Sequence, residues 1–452
     1  MDLITLLQRE FDPRQIIVDE TSLVAYGTDE SGEGTYLPQA ALIAQSPLEV
    51  EKLMVLASRE GFPVTPRGLG TGKSGGALPV TGGVVLALDR MNRILDIDEK
   101  SSLAIVEPGV ITETLQLTAW EEGLFYPPDP ASLDTCSLGG NVAENAGGPR
   151  AFRYGVTREY VLGMEAVTMG GARFNLGHKS IKGVSGYDLT GLLTGSEGTL
   201  AVFTRLLFKL IPRHRESGIV LAFYKDLGIA GQAVTSMFGA SLHPMALELI
   251  DGYSLRNIAG IDGFSPPEEA GGAILCEFEG LPEDDDLLER IATLLEKGDP
   301  LDIEVALDAA GARRIWAARR NVSTRLKENH RHKISEDIAV PRAAIPVAIR
   351  QVQKIAEKYG LHMGCYGHAG DGNLHVNFVT DDDKAAANFE MAVRELFAAA
   401  IRLGGTLSGE HGIGISKRRF MPLEHDPGAL SVMRAVKRAW DPQNLLNPGK
   451  IF

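Results

Sequence analysis

Cysteine is scarce in this chain of 452 residues: Cys136, Cys276 and Cys365 stand far apart and in no C-x-x-C pair. Such usage excludes a cysteine-ligated iron–sulfur cluster within the chain and predicts a reducing compartment. Long apolar runs are missing too. None approaches the roughly 18 residues needed to span a bilayer, and the longest pieces, 40–44 and 84–88, read as buried strands. No basic region leads into an apolar stretch at the N-terminus, so no secretory signal is expected. Nor is there a concentration of positive charge. The net charge is −14, with acidic residues spread along the chain, which excludes tracking of a nucleic-acid backbone and argues against electrostatic docking on an anionic membrane. Internal repeats and low-complexity segments are absent. A soluble, cytoplasmic protein is expected.

What is present is enough chain for two or three domains and an ordinary apolar content of 44%. Alternating strand-like and helical segments fill 40–123, and strands resume at 161–169 and 200–209. Pro212, followed by the charged run RHRE, marks the expected domain boundary. Helical patterns follow near 308–327, 343–359 and 384–403, and the helix 429–440 is stopped by Asp441-Pro442. The architecture is expected to be α+β, divided into 1–212, 213–410 and a C-terminal segment 411–452 that returns to the first domain.

Three loops of small residues carry the first chemistry. The first is Pro66-Arg67-Gly68-Leu69-Gly70-Thr71-Gly72-Lys73-Ser74-Gly75-Gly76. Its glycines let backbone N–H groups converge on an anion with no Cβ in the way. Two familiar motifs overlap this loop, and both fail. Gly70-x-Gly72-x-x-Gly75 should open a helix, yet Pro79, Gly82 and Gly83 follow; the glycine a Walker A motif requires five residues before Gly72 is Arg67. The second, 136–148, includes Cys136, Ser137, Gly139, Gly140, Asn141, Ala143, Ala146 and Gly147. The third, 183–200, includes Glu197 and Gly198. Three such loops meeting in one domain imply an extended, flat cofactor rather than a single phosphate.

A second constellation involves ionisable groups. Asp371-Gly372 is a two-residue hairpin signal, and that register would set His368 directly opposite His375. Two imidazoles so placed can chelate a divalent metal or form a half-buried structural pair. Glu410, in the glycine-flanked pair Glu410-His411, would complete a His-His-carboxylate site and leave His411 as a base near neutral pH. Zinc suits these ligands, with iron(II) and manganese as alternatives. In the helix near 308–327, Trp316, Arg320 and Thr324 share one face. Arginine there is either a bidentate partner for a substrate carboxylate or part of a solvated basic face.

The phrases PRGLGTGKSGGA, LGGNVAENAGG, GYDLTGLLTGSEGTL, GHAGDGNLH, SGEHGIG and NLLNPGK occur in this order. Together they resemble the glycolate oxidase/D-lactate dehydrogenase family of vanillyl-alcohol-oxidase-type flavoproteins, which includes D-2-hydroxyglutarate dehydrogenase. The resemblance runs from about residue 22 to the C-terminus. It implies a PCMH-type FAD domain and a substrate (cap) domain. Residues 66–76 would hold the FAD pyrophosphate, 130–147 would line the flavin, and Glu197 to Val202 would border it. Asn447 would approach the ring. FAD would be non-covalent, since 66–76 contains no His or Cys. The family roles fall on His368, His375 and Glu410 as metal ligands, His411 as base, and Arg320 with Thr324 as carboxylate clamp. Ser335 stands where some relatives carry a substrate lysine, two residues before Asp337, and this favours a small monocarboxylate such as D-lactate or glycolate. Electrons would pass to an iron–sulfur subunit, an electron-transferring flavoprotein, a quinone or a cytochrome, at a membrane face if the partner sits there. A homodimer is the base-rate expectation. A non-redox transferase of the ether-lipid synthase type and a flavin-free metal hydrolase are the rival readings.

Overall fold

The computed structural model describes residues 2–452. The chain divides into two compact units: residues 1–147, 156–213 and 410–452 form one, and residues 148–155 with 214–409 form the other.

The first unit holds two sheets. In the smaller, β1 (Ile16–Ile17), β2 (Ala40–Ile43), β3 (Val64–Arg67) and β4 (Val84–Ala87) lie in the order β1-β2-β4-β3, with β2, β4 and β3 parallel. Parallel strands covered on both faces read as continuous apolar runs, as β4 does: all four of its residues are buried. The helix Pro47–Glu60 connects β2 to β3. It is capped by Ser46 and stopped by Gly61 at φ 76°, and it buries Val50, Leu53, Met54 and Ala57. The larger sheet is antiparallel, in the order β5 (Ile94–Asp98), β6 (Leu103–Val106), β10 (Val202–Lys209), β8 (Val161–Val167), β9 (Arg173–Gly177). A short pair joins β7 (Leu124–Phe125) to β11 (Ile211–Pro212).

The C-terminal segment completes this unit beside β3. The Val64 N–H donates to the Leu445 carbonyl at 2.8 Å, and the Asn447 N–H returns to the Val64 carbonyl at 2.8 Å. Buried Asn447 donates its amide to the carbonyls of Gly76 (3.0 Å) and Glu197 (2.8 Å), tying the first and third glycine loops together. Buried Lys450 donates to the Leu78 carbonyl at 2.5 Å.

The second unit is a seven-stranded antiparallel sheet. Its strands are β12 (Ser217–Tyr224), β13 (Ala246–Asp251), β14 (Gly272–Glu279), β15 (Asp302–Ala306), β16 (His332–Ala339), β17 (His362–His368) and β18 (Asn373–Thr380). They run in the order β15-β12-β14-β13-β17-β18-β16. A core that includes Leu221, Phe223, Ile315, Trp316 and Leu326 joins the sheet to the helical segment at 309–328. That segment is not one helix: Ala309–Arg320 and Val322–Glu328 are separated at Asn321, which interrupts the i, i+4, i+8 face expected for Trp316, Arg320 and Thr324.

Candidate active site

In the first unit the three small-residue loops enclose one open cleft. Of the residues expected from sequence, Pro66, Arg67, Gly68, Leu69, Gly70, Thr71 and Gly72 line it. So do Pro130, Cys136, Ser137, Gly139, Gly140, Asn141, Ala143, Ala146, Gly147, Glu197, Gly198 and Val202. Glu410 and His411 lie on the same wall. Ser74 and Gly75 are not on the wall, and Asn447 braces it from behind through the bonds given above.

The cleft fits an extended polar cofactor on two structural grounds. There is no room for a side chain where the first two loops meet: a Cβ on Gly68 would stand 2.3 Å from Ser137 Oγ. Buried polar atoms are also left over. Arg67 Nη1 and Glu144 Oε2, both of lining residues, have no hydrogen-bond partner within the protein, and buried polar atoms ordinarily have one.

Glu144 was not expected from the sequence, although a lone carboxylate inside LGGNVAENAGG is a visible signal. It lies against Glu197: a Cβ on Gly412 would meet Glu144 Oε2 at 2.2 Å and Glu197 Oε1 at 3.2 Å. Burial, then the neighbouring Glu197 and Asp29, push the Glu144 carboxyl well above the usual carboxylate range. Glu197 is also raised by burial, but the N–H groups of Ile413 (2.8 Å) and Gly414 (2.6 Å) oppose that, with Lys450 and Lys417 adding to them. Of the two, Glu197 is the one whose charge the surrounding N–H groups and lysines favour, and its carboxylate holds the turn after His411.

In the second unit, β17 and β18 bring His368 and His375 together by a different register from the one expected. Tyr366 opposes His375 and His368 opposes Asn373, so the histidines are diagonal neighbours on one face. The two-residue turn fails because only Gly372 takes positive φ (89°), whereas that turn requires it at Asp371 as well. The N–H groups of Asp371 and Gly372 instead share the His368 carbonyl, at 3.2 and 3.0 Å.

Both histidines are buried, and their Nε2 atoms lie 3.4 Å apart. Two nitrogens each ~2.0–2.1 Å from a tetrahedral zinc stand about 3.3 Å apart, so the observed pair fits two ligands of one ion. On its other side His368 Nδ1 meets Glu248 Oε1 at 2.6 Å. Burial works against charge on Glu248, but Arg319 and His368 outweigh it and hold the carboxyl down at about 2. One residue before Glu410, the Gly409 N–H donates to buried Asp337 at 2.8 Å, and Ser408 donates to the same carboxylate at 3.2 Å.

The arginine helix also departs from expectation. Arg320 and Thr324 are exposed. Arg319 is buried, ion-paired to Glu248, with its guanidinium carbon 4.6 Å from the Tyr366 ring centroid. Its Nε has no hydrogen-bond partner. Arg319 and Arg320 are three and four residues after Trp316 in the same helix, and contact with Glu248 and Tyr366 rather than spacing decides that Arg319 is the buried one.

Comparison with known proteins agrees with this geometry. Residues 212–451 match the model of the FAD linked oxidases, C-terminal domain, and residues 38–177 match an FAD binding domain. The glycolate oxidase subunit GlcD of Bacillus subtilis is 38% identical over 95% of this chain and 92% of its own length. A D-lactate dehydrogenase of Anaerostipes hadrus is 32% identical over 98% of this chain and 96% of its own. Among solved structures, p-cresol methylhydroxylase superposes with a TM-score of 0.80 at 17% identity, covering 99% of this chain and 96% of that one. The last likeness concerns fold alone: α+β, of the vanillyl-alcohol-oxidase and p-cresol methylhydroxylase type. By sequence across nearly its whole length, the chain belongs to the FAD-linked oxidases, in the family that unites GlcD-type glycolate oxidase chains with D-lactate dehydrogenases.

Proposed function

We propose that this flavoenzyme oxidises a small D-2-hydroxy acid, with D-lactate and glycolate favoured, to the 2-keto acid. The observation that carries the reading is that His411 and Glu410 line the same cleft as the cofactor loops. That gives a base on the cofactor's own wall. His411 takes the proton of the 2-hydroxyl. Arg319, rather than Arg320 with Thr324, binds the substrate carboxylate, because it is the buried arginine with an unpaired Nε–H. His368, His375 and Glu410 hold a divalent cation, with zinc the best match to two imidazoles and a carboxylate. When bound, FAD would supply the hydride acceptor and the cation Lewis acidity.

FAD is held without a covalent bond. Its electrons leave to a separate acceptor: an iron–sulfur subunit, an electron-transferring flavoprotein, a quinone or a cytochrome. The three free, buried cysteines suit a reducing compartment. Among the described residues no helix is long and apolar enough to cross a membrane.

Anaerobic titration of the FAD- and metal-loaded protein tests the reading. A D-acid or glycolate should bleach the flavin absorbance, and L-lactate should not. A protein that binds FAD but is reduced by no D-lactate, glycolate or D-2-hydroxyglutarate would overturn the dehydrogenase and favour a non-redox transferase. A colourless protein would favour a metal hydrolase.

A further inference from the structure

Glu248 has no contact with solvent and no place in the chemistry above. It lies on β13 directly across from His368 on β17. One carboxylate oxygen meets His368 Nδ1 at 2.6 Å, and the other is ion-paired to Arg319. Arg319 in turn stacks on Tyr366, whose ring centroid is 5.3 Å from that of His375, its partner across β18. The circuit closes where His375 Nε2 faces His368 Nε2. A buried ion pair kept only for stability is commonly replaceable by apolar groups. This one holds in fixed orientation an arginine whose Nε–H has no partner and a pair of histidines.

We propose that Glu248 is a shared positioning residue: one oxygen fixes His368 as the Nδ1–H tautomer with Nε2 open to a cation, while the other aims Arg319 at the substrate carboxylate. The inference rests on the reading of His368 and His375 as metal ligands. A neutral histidine has one donor and one acceptor nitrogen, so a carboxylate at Nδ1 forces the lone pair onto Nε2.

Glu248→Gln separates this role from bulk packing. The amide oxygen will turn to the Arg319 guanidinium, which leaves the NH2 group facing His368 Nδ1. That selects the opposite tautomer, with a proton on Nε2 where a cation should bind.

The experiment titrates zinc alone, against a chromophoric chelator, into FAD-loaded wild type and Glu248→Gln. FAD stoichiometry and melting temperature serve as controls for folding. The expected result is a loss of zinc affinity of about 10–100-fold, with FAD content unchanged and turnover partly restored by excess zinc. Equal zinc affinity and equal KM in the two proteins would overturn the proposal. If the variant does not fold, ring 15N shifts of histidine-labelled wild type decide instead. A His368 ring protonated at Nδ1 supports the assignment, and one protonated at Nε2 overturns it. Wild type that takes up no zinc sinks the ligand assignment, and the His368 tautomer still tests Glu248.

Discussion

Replacing Glu197 by Ala removes a side chain that holds the backbone after His411, and its effect can be worked out from the contacts. The carboxylate accepts the buried Gly414 N–H at 2.6 Å and the part-buried Ile413 N–H at 2.8 Å. Stranding a buried donor costs about 1–3 kcal/mol, and losing a part-buried bond about 1 kcal/mol. One term opposes this. Glu197 is itself a buried acid beside Glu144, and removing it relieves that burial. The backbone strain is unchanged, since Ala at φ 51° is as strained as Glu. The net loss is at most about 2–4 kcal/mol, a fall in melting temperature of up to roughly 4–8 °C at about 2 °C per kcal/mol for a unit of this size. Glu197→Gln, whose single amide oxygen can satisfy one of the two donors well, should lose about half as much. The assay is a thermal melt of FAD-loaded protein paired with anaerobic stopped-flow reduction of the flavin. The reduction rate should fall at least tenfold in Glu197→Ala as the His411 turn loosens. A melting temperature within 1 °C of wild type and a rate within twofold would refute the reasoning.

His411→Ala should bind FAD normally yet lose about 10²–10⁴-fold in the rate of flavin reduction, read by stopped flow; reduction at the wild-type rate would remove His411 from the base role. Arg319→Lys keeps the charge but not the planar fork, so KM for the hydroxy acid should rise at least tenfold, and an unchanged KM in steady-state kinetics would return the clamp to Arg320. Asp251 is buried and its pKa raised to about 6, chiefly by burial, against hydrogen bonds from Ser254. Its folded-state value lies above the unfolded one, so the folded chain binds the proton more tightly and stability falls as pH rises from about 4 to about 6, by about 3 kcal/mol at most. Asp251→Asn, which can still cap Ser254, should flatten that part of the melting-temperature profile, and a parallel profile would contradict the assignment.

That three small-residue loops come together was legible because the signal is local: Gly68 leaves no room for a Cβ against Ser137, and Gly75 takes positive φ. The placement of Glu410 and His411 beside those loops was foreshadowed in the same way, by charged residues set among glycines. What failed was not decided by local sequence. Arg319 and Arg320 stand three and four residues after Trp316 in one helix, so spacing alone does not choose between them, and the partners that bury Arg319, Glu248 and Tyr366, are distant in sequence. The hairpin at 369–372 failed similarly: Asp-Gly is compatible with more than one turn, and the choice depends on φ at Asp371. Glu248 was illegible for a deeper reason. It sits in an ordinary strand 120 residues before His368, and only cross-strand pairing shows what it faces.

The return of Leu445–Asn447 to β3 gives the first unit a timetable. Residues 214–409 separate the early cofactor loops from the segment that braces them. At roughly 5–20 residues per second, a ribosome takes about 10–40 s to make that insertion. Throughout that interval the glycine loops exist without Asn447 between Gly76 and Glu197, and without Lys450 on Leu78. The hydrogen bonds that brace the first and third loops are therefore among the last contacts of this unit that the growing chain can make.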